Sequence, residues 1–397
     1  MSAQESTQHY DVIVLGAGAA GMMCALMAGQ RGKRVLLVEH NDLPGKKIRI
    51  SGGGRCNFTN VQAEPARYIS NNPRFCYSAL SRYTPKDFIA LVERHGIAYH
   101  EKKLGQLFCD DSAQQIIDAL LDECAQARVV LKTNCRVQEV TRNETYEVQT
   151  SQGTFAAPAL VIATGGLSIP KLGATDLGYR IACQFGVPVL PCVPALVPIT
   201  LPERDLRGLA DLSGISFEAA VSVGKTTFEE NVLITHRGLS GPAILQISSY
   251  WEPGKELLVD LFPGQQLGVR LEEMKKKAPR TLPLKVVSGQ VSNRFAQRLC
   301  EHHHWERPLG EMSGADLRAM AEALQQWRIP ANGTEGYAKA EVTRGGVDTR
   351  ALNPKSMEAR EVAGLYFIGE VMDVTGWLGG YNFQWAWASA VAAGSAV

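Results

Sequence analysis

Residues 10 to 39, YDVIVLGAGAAGMMCALMAGQRGKRVLLVE, constrain this chain more than any other stretch. Val12 to Leu15 is a short apolar run that reads as a buried parallel strand. Gly16, Gly18 and Gly21 follow at once in G-x-G-x-x-G spacing, and Ala19 to Gly29 has the small-residue pattern of a closely packed helix. A second apolar strand, Arg34 to Val38, ends at Glu39, 18 positions after Gly21. Strand, glycine turn, helix, strand and terminal acid in this order make a complete βαβ unit for binding a dinucleotide. Gly16 permits the tight turn, Gly18 lets the backbone approach a pyrophosphate, and Gly21 lets helix and strand pack closely. The helix N-terminus, with Ala19 and Ala20 in its first turn, offers amide donors and a positive dipole to phosphates. Glu39 can accept both hydroxyls of an adenosine ribose, and its charge would repel a 2′-phosphate.

The remaining composition bounds the class. A chain of 397 residues exceeds one ordinary core, so two or three structural units are expected. With 45% hydrophobic and 20% charged residues it reads as a soluble globular protein. Lys and Arg (41) nearly balance Asp and Glu (40), so bulk attraction to nucleic acid or anionic membrane is not expected. The run Lys275 to Lys277 reads as a solvated helix face. Nine cysteines are scattered without a C-x-x-C pair or zinc-like spacing. With no signal peptide ahead of the first strand and no apolar run of membrane-spanning length, a reducing cytoplasm is expected. Met1 to His9 is polar and reads as a loose tail.

Taken in order, residues 40 to 60 (HNDLPGKKIRISGGGRCNFTN) hold Pro44 and four glycines, too many for a helix or strand interior. They read as an ordered functional loop carrying Lys46, Lys47, Arg49 and Arg55. Helical periodicity covers residues 75 to 95 and 112 to 127, the second capped by Ser112, with a hairpin between them. Val129 to Val140 alternates like one strand, and Tyr146 to Phe155 like a hairpin. Ala159 to Ala163 is another buried strand, running into Thr164, Gly165 and Gly166, a second place where backbone can press on a nucleotide. A helix follows over Gly173 to Phe185. Five prolines between Pro188 and Pro202 mark a crossover out of this domain. Short alternating segments from 194 to 265 read as an antiparallel sheet or small barrel, with a helix start at Ser240, Gly241 and Pro242. Residues 266 to 337 read as a small helical lobe. The last stretch returns to glycine and aromatics. A strand ends in Gly369 and Glu370, and a glycine turn at Gly379 and Gly380 opens a helix at Tyr381 and Asn382.

Ligand-facing segments thus lie at both ends of the chain with other structure inserted, and only one full dinucleotide fingerprint is present. That suits a long, extended cofactor such as FAD. Six segments carry a family resemblance: GAGAAG (16–21), PGKK and SGGGRCNFTN (44–60), LGQLFCDDSA (104–113), VIATGGLSIPKLGA (161–174), THRGLSGPA (235–243) and GEVMDVTGWLGGYNFQWAWASA (369–390). On these the chain resembles the bacterial YhiN/BaiN flavoproteins, beside the glutathione-reductase-like enzymes.

The resemblance implies an α/β fold with a Rossmann-like FAD-binding domain built from 1–193 and 338–397. Into it are inserted a β-barrel-like domain (194–265) and a helical lobe (266–337). It places adenosine at Glu39 and Val137, and pyrophosphate over Gly16 to Gly21. Lys46, Lys47, Ser51, Gly52, Gly53, Gly54, Arg55, Cys56 and Asn57 would run beside the cofactor. The isoalloxazine would lie near Ser51 to Gly54 and the turn at Gly380, Tyr381 and Asn382. Glu370 and Asp373 would approach the ribityl chain or phosphates. Backbone donors at a helix N-terminus would stabilise the charge of a reduced flavin.

His236 and Arg237 are catalytic candidates, able to orient a substrate or supply a proton, or else form a structural turn before Ser240. Cys56 reads as a packing residue in the glycine loop rather than a redox thiol. Trp377, Tyr381, Trp385 and Trp387 read as core or as pocket wall. His302 to His304 read as a solvated face, because successive helical residues diverge and cannot share one metal ion. The expected activity is reduction of an enone-like organic acceptor by NAD(P)H-derived hydride through FAD. An amine or amino-ketone oxidase using oxygen and a flavoprotein with an RNA-binding role stay open beside it. A small-molecule substrate, no nucleic-acid partner and no membrane association are expected.

Overall fold

The computed structural model describes residues 7–397. The chain divides into two compact units, one holding residues up to Val193 together with Val342–Val397, the other holding Pro194–Glu341.

The first unit is built on a five-stranded parallel sheet in the order Leu365–Phe367, Ala159–Ile162, Val12–Leu15, Val35–Val38, Val130–Lys132. The three central strands, ALVI, VIVL and VLLV, are buried along their whole length, as a sheet covered on both faces requires. Helix Ala19–Gln30 crosses between the second and third of these central strands and packs against the last helix, Tyr381–Gly394. Small residues allow that approach: a Cβ on Gly394 would lie 2.7 Å from the Met27 Cβ and 2.8 Å from the Cys24 carbonyl.

Four local expectations change for identifiable reasons. Val129 to Val140 is two strands in two sheets, Val130–Lys132 and Val137–Arg142, because the chain turns at Asn134 (φ +52°). Asn tolerates that left-handed backbone better than most residues. The turn is held by the Asn134 amide on the Asn41 carbonyl (2.8 Å) and the Cys135 amide on the Glu39 carbonyl (2.9 Å). Residues 1–6 of the polar leader lie outside the described residues, but Gln8–His9 pair in parallel with Phe155–Ala156 as a strand. The stretch 40 to 60 is ordered yet not merely a loop. It holds helix Lys46–Ile50, a 3₁₀ turn Ser51–Gly54 and strand Asn57–Asn60. That strand pairs with Gln106–Cys109, whose other edge carries Tyr99–Glu101 in the expected hairpin. The hydroxyl of Ser112 accepts from the Gln114 amide (3.1 Å) at the start of helix Gln114–Gln126. The expected helix from Gly173 begins only at Leu177, after a turn in which Gly173 has φ +98°.

The second unit carries a seven-stranded antiparallel sheet in the order Trp327–Ile329, Leu257–Asp260, Ser216–Val223, Thr226–Thr235, Gly238–Ser240, Ile199–Thr200, Gly333–Thr334. Its two edge strands are only three residues apart in sequence. Extended chain covers at most about 3.6 Å per residue, so the sheet must curl to bring its edges together. Both edge strands fall within the range expected to be a helical lobe. That range does hold helices Leu267–Lys277, Asn293–His303 and Gly314–Gln325. Helix Pro242–Ser248 starts as the sequence suggests, with proline first and Gly241 at φ +88°, and packs on the sheet through Ile244 and Ile247. The run at 275–277 is not solvated throughout: Lys276 and Lys277 are exposed, but Lys275 is half-buried with its ammonium on the Met312 carbonyl.

Candidate functional site

The carboxyl ends of the parallel strands gather most of the residues singled out above, all within the first unit. The three fingerprint glycines have different duties there. Gly16 has φ +104°, and a Cβ on it would sit 2.5 Å from the Ala163 carbonyl oxygen. A Cβ on Gly21 would sit 1.8 Å from the Gly16 carbonyl. Those two are required by the fold itself. Gly18, at the helix N-cap with φ −82°, would place a Cβ more than 4 Å from any other part of the protein. Its missing side chain leaves open space above the helix start, which Ala19 and Ala20 then form.

Glu39 is buried, and the chain supplies its partners. Its Oε2 accepts the Ala17 amide (2.9 Å), and its Oε1 accepts the Asn41 amide (2.9 Å) and the Asn41 side-chain nitrogen (2.8 Å). A carboxylate has about four acceptor positions. Three are used, and the His40 ring nitrogen also lies 3.2 Å from the already doubly bonded Oε1, so Glu39 keeps capacity for one further donor, on Oε2, rather than two. Asn41 was not anticipated; the only signal was its place two residues beyond the acid. Val137 lies half-buried at the start of its strand.

The segment 46–57 forms one flank. Lys46 is tied to Asp42 (2.8 Å) and to Asn41 (3.1 Å). Arg49 is bonded to Gln114, and Ser51 donates to the Ile48 carbonyl (2.7 Å). Gly52, Gly53 and Gly54 are all left-handed (φ +57°, +68°, +87°). Gly52 is pressed against Phe108, whereas Gly53 and Gly54 look into open space. Arg55 is exposed. Cys56 is fully buried at φ +49°, and burial pushes its thiol well up, so it is held as a neutral packing group. Asn57 is buried, its amide 3.2 Å from that of Gln106.

Glu370 joins four segments. One of its oxygens accepts the Thr343 amide (2.9 Å) and the Ser168 hydroxyl (3.1 Å); the other pairs with the Lys47 ammonium at 2.6 Å. Lys47 also reaches Ser168 (2.7 Å). Thr343 in turn accepts the Leu167 amide (2.8 Å), just past Thr164, Gly165 and Gly166. Gly166 has no room for a Cβ, which would meet the Thr343 hydroxyl at 2.5 Å. Neither Ser168 nor Thr343 was legible as a partner, since each is a short polar residue beside a more conspicuous glycine. Gly369 packs on helix Ala19–Gln30, where a Cβ would approach that of Ala20 to 2.9 Å. Asp373 is buried and spoken for, accepting the Asn71 amide (2.7 Å) and its side-chain nitrogen (3.1 Å).

The C-terminal turn closes the same end of the sheet. Gly379 (φ +105°) and Gly380 (φ +95°) press on Gln106 and on the backbone of Thr59, leaving no space for side chains. Asn60 fixes the turn by donating to the Gly379 carbonyl (2.8 Å). Asn382 spends its side chain on the turn as well, bridging the Gly376 amide (2.8 Å) and carbonyl (2.9 Å). Tyr381 is buried, its carbonyl accepting the Tyr68 hydroxyl (3.0 Å). Of the tryptophans, Trp385 and Trp387 are core, while Trp377 is half-buried under the Arg67 guanidinium (4.9 Å).

His236 and Arg237 are not among these residues. They sit in the second unit at the exposed tip of the hairpin between Thr226–Thr235 and Gly238–Ser240. There the Thr235 hydroxyl accepts the amides of Arg237 (3.2 Å) and Gly238 (3.1 Å), and the Arg237 guanidinium lies 3.6 Å from Glu335. Ser240 ends a strand rather than capping the helix. At 302–304, His303 stacks on Trp305 while His302 and His304 are exposed. No described helix is long and apolar enough to cross a membrane.

Residues 10–396 match the family described as HI0933-like protein Rossmann domain. The chain is 51% identical over 386 residues to a protein of Escherichia coli strain K12 named "Ribosomal RNA dihydrouridine synthase", covering 96% of each. It is 44% identical to a Haemophilus influenzae protein of the same name, covering 97% of this chain and 98% of the relative. It is 28% identical to a "3-dehydro-bile acid delta(4,6)-reductase" of Clostridium scindens, covering 96% and 98%. The chain belongs to the HI0933-like Rossmann family, a family of flavin-dependent oxidoreductases.

Proposed function

We propose that this protein is an FAD-dependent reductase that converts a uridine of ribosomal RNA to dihydrouridine, with NAD(P)H as electron donor. The observation that carries the reading is identity at about the half level, over nearly the whole length, to a relative named for that reaction. Chemistry joins it to the enone expectation. The C5=C6 bond of uracil is conjugated to the C4 carbonyl, so uracil is itself an α,β-unsaturated carbonyl acceptor. Its reduction needs a hydride at C6, the position β to the carbonyl, and a proton at C5.

The residues present fit FAD. Open space above Gly18 suits a pyrophosphate at the start of helix Ala19–Gln30, where unpaired amides and the dipole favour anions. Glu39 keeps one acceptor position for a ribose hydroxyl. The open backbone of Gly53 and Gly54 and the glycine turn at 379–380 would flank the ring system. Lys47, Ser168 and Thr343 hold Glu370 in place within that cradle. When bound, the flavin would take hydride from the nicotinamide and pass it to the substrate. The protein's share is positioning, exclusion of water and a proton for C5.

His236 is proposed as that proton source and Arg237 as an orienting cation. His236→Ala is expected to keep the flavin spectrum and slow turnover by about 10²-fold or more, the usual contribution of a general acid. Unchanged kinetics on unmodified RNA would make His236 part of the turn and nothing else.

A small-molecule acceptor is the second reading, favoured by the full-length likeness to the bile-acid reductase. Nucleoside mass analysis separates the two. Ribosomal RNA transcribed without modifications should gain two hydrogens on one uridine when incubated with the protein and NAD(P)H. RNA that stays unchanged, while an added cyclic enone is reduced, would overturn the RNA reading.

A further inference from the structure

We propose that the second unit carries a docking surface for the sugar-phosphate backbone of RNA, centred on Lys276, Arg280 and Lys285. The proposal rests on the ribosomal RNA reading above and says where that RNA is gripped.

The sequence segregates charge in a way that its net value of +1 conceals. Between Glu273 and Glu301 there is no acidic residue, yet Lys275, Lys276, Lys277, Arg280, Lys285, Arg294 and Arg298 all fall in that interval. The other 34 basic residues of the chain face 40 acidic ones. Positive charge is therefore concentrated in one stretch of an otherwise acidic protein.

The structure sorts those seven. Lys275 is bound to the Met312 carbonyl, and Lys277 pairs with Glu273 (3.3 Å). Arg298 pairs with Asp211 (2.9 Å) and Glu301 (3.6 Å), and Arg294 lies 3.8 Å from Asp211. Lys276, Arg280 and Lys285 are exposed and form no ion pair among the described residues. Arg280 and Lys285 line an open groove together with Ala278, Pro279, Thr281 and Leu282. Lys276 stands on the last turn of the helix that leads into it. The groove wall is fixed rather than floppy. The Leu309 amide bonds the Thr281 carbonyl (2.9 Å), and the Gly310 amide bonds the Pro279 carbonyl (2.8 Å).

Uncompensated cations on an ordered surface suit a polyanion, because each phosphate contacted releases condensed counterions and strengthens binding at low salt. Exposed Leu282 among them offers an apolar contact to a ribose or base face. Phosphate contacts fix register without reading sequence, which leaves base selection to the flavin site.

The test compares the full-length, FAD-loaded protein with a K276A/R280A/K285A variant. The probe is a labelled, unmodified ribosomal RNA transcript, titrated by fluorescence anisotropy across a salt series. Each lost phosphate contact should remove roughly 0.7–0.9 from the slope of log affinity against log salt, so the variant's slope should fall by about 2. Its affinity at low salt should drop at least tenfold. Its visible spectrum and thermal midpoint, which report folding, should match the parent. If the parent binds RNA with strong salt dependence and the variant binds identically, this surface is overturned while the RNA reading stands. If the parent binds no RNA, the reading and the surface fall together. If the variant loses binding only to vesicles containing anionic phospholipid, the groove serves a membrane and the proposal is wrong.

Discussion

Gly18→Val is expected to yield a folded protein that retains no flavin. The backbone at Gly18 has φ −82°, a conformation any residue adopts, and a Cβ there meets nothing in the protein. Valine therefore costs the fold little beyond a poorer helix cap, about 1 kcal/mol. Its branched side chain would instead fill the space proposed for the pyrophosphate. The purified variant should be colourless, with a thermal midpoint near that of flavin-stripped parent. A yellow Gly18→Val protein would refute the placement. Gly21→Val is the contrasting control: with the Gly16 carbonyl 1.8 Å from a Cβ, it should not fold at all.

Trp387→Ala should produce the largest loss of stability among single changes that spare the site's own residues. Trp387 is fully buried and stacks on Phe88 at 4.2 Å with planes 9° apart, and on Phe383 at 5.7 Å. Its indole nitrogen donates to the Phe58 carbonyl at 2.8 Å. Removing a buried tryptophan costs about 3–5 kcal/mol through lost burial and the cavity left behind. The orphaned carbonyl adds about 1 kcal/mol or more. In a unit of this size that should lower the thermal midpoint by about 10 °C. Trp387 also ties helix Tyr381–Gly394 to strand Asn57–Asn60, the two elements meeting at Gly380. Flavin should therefore dissociate faster from the variant, a change visible by dialysis. Trp387→Phe, which keeps the stacking but not the hydrogen bond, should fall between. A parental midpoint in Trp387→Ala would mean that the two elements are held by other contacts.

What was legible in the sequence followed from how local its causes are. The βαβ unit is written in glycine spacing and apolar runs within thirty residues, and its two packing glycines behave as that spacing demands. Features decided by distant partners were not legible. Whether Gln8–His9 is tail or strand depends on Phe155–Ala156, far along the chain. The curling of the second sheet depends on Trp327–Ile329 and Gly333–Thr334, short strands hidden beside helices. The family resemblance placed Asp373 by the ribityl chain or phosphates and Asn382 by the isoalloxazine. In the fold their polar atoms hold neighbouring backbone, at Asn71 and Gly376. The basic groove escaped because Lys275 to Lys277 looked like an ordinary helix face. Its significance lies in the stretch from Glu273 to Glu301, which carries no acid between its ends along the sequence, a local bias that net charge averages away.

The most direct measurement is anaerobic and optical. The purified protein should show an oxidised flavin spectrum that bleaches on adding NADH or NADPH. The bleached protein should then recover its colour when mixed with unmodified ribosomal RNA, but not with RNA already carrying dihydrouridine. Recovery on a cyclic enone and not on RNA would place the acceptor among small molecules. A spectrum that bleaches only with an amine would indicate an oxidase. Absence of any flavin, even after reconstitution with FAD, would contradict the cofactor and the reaction together.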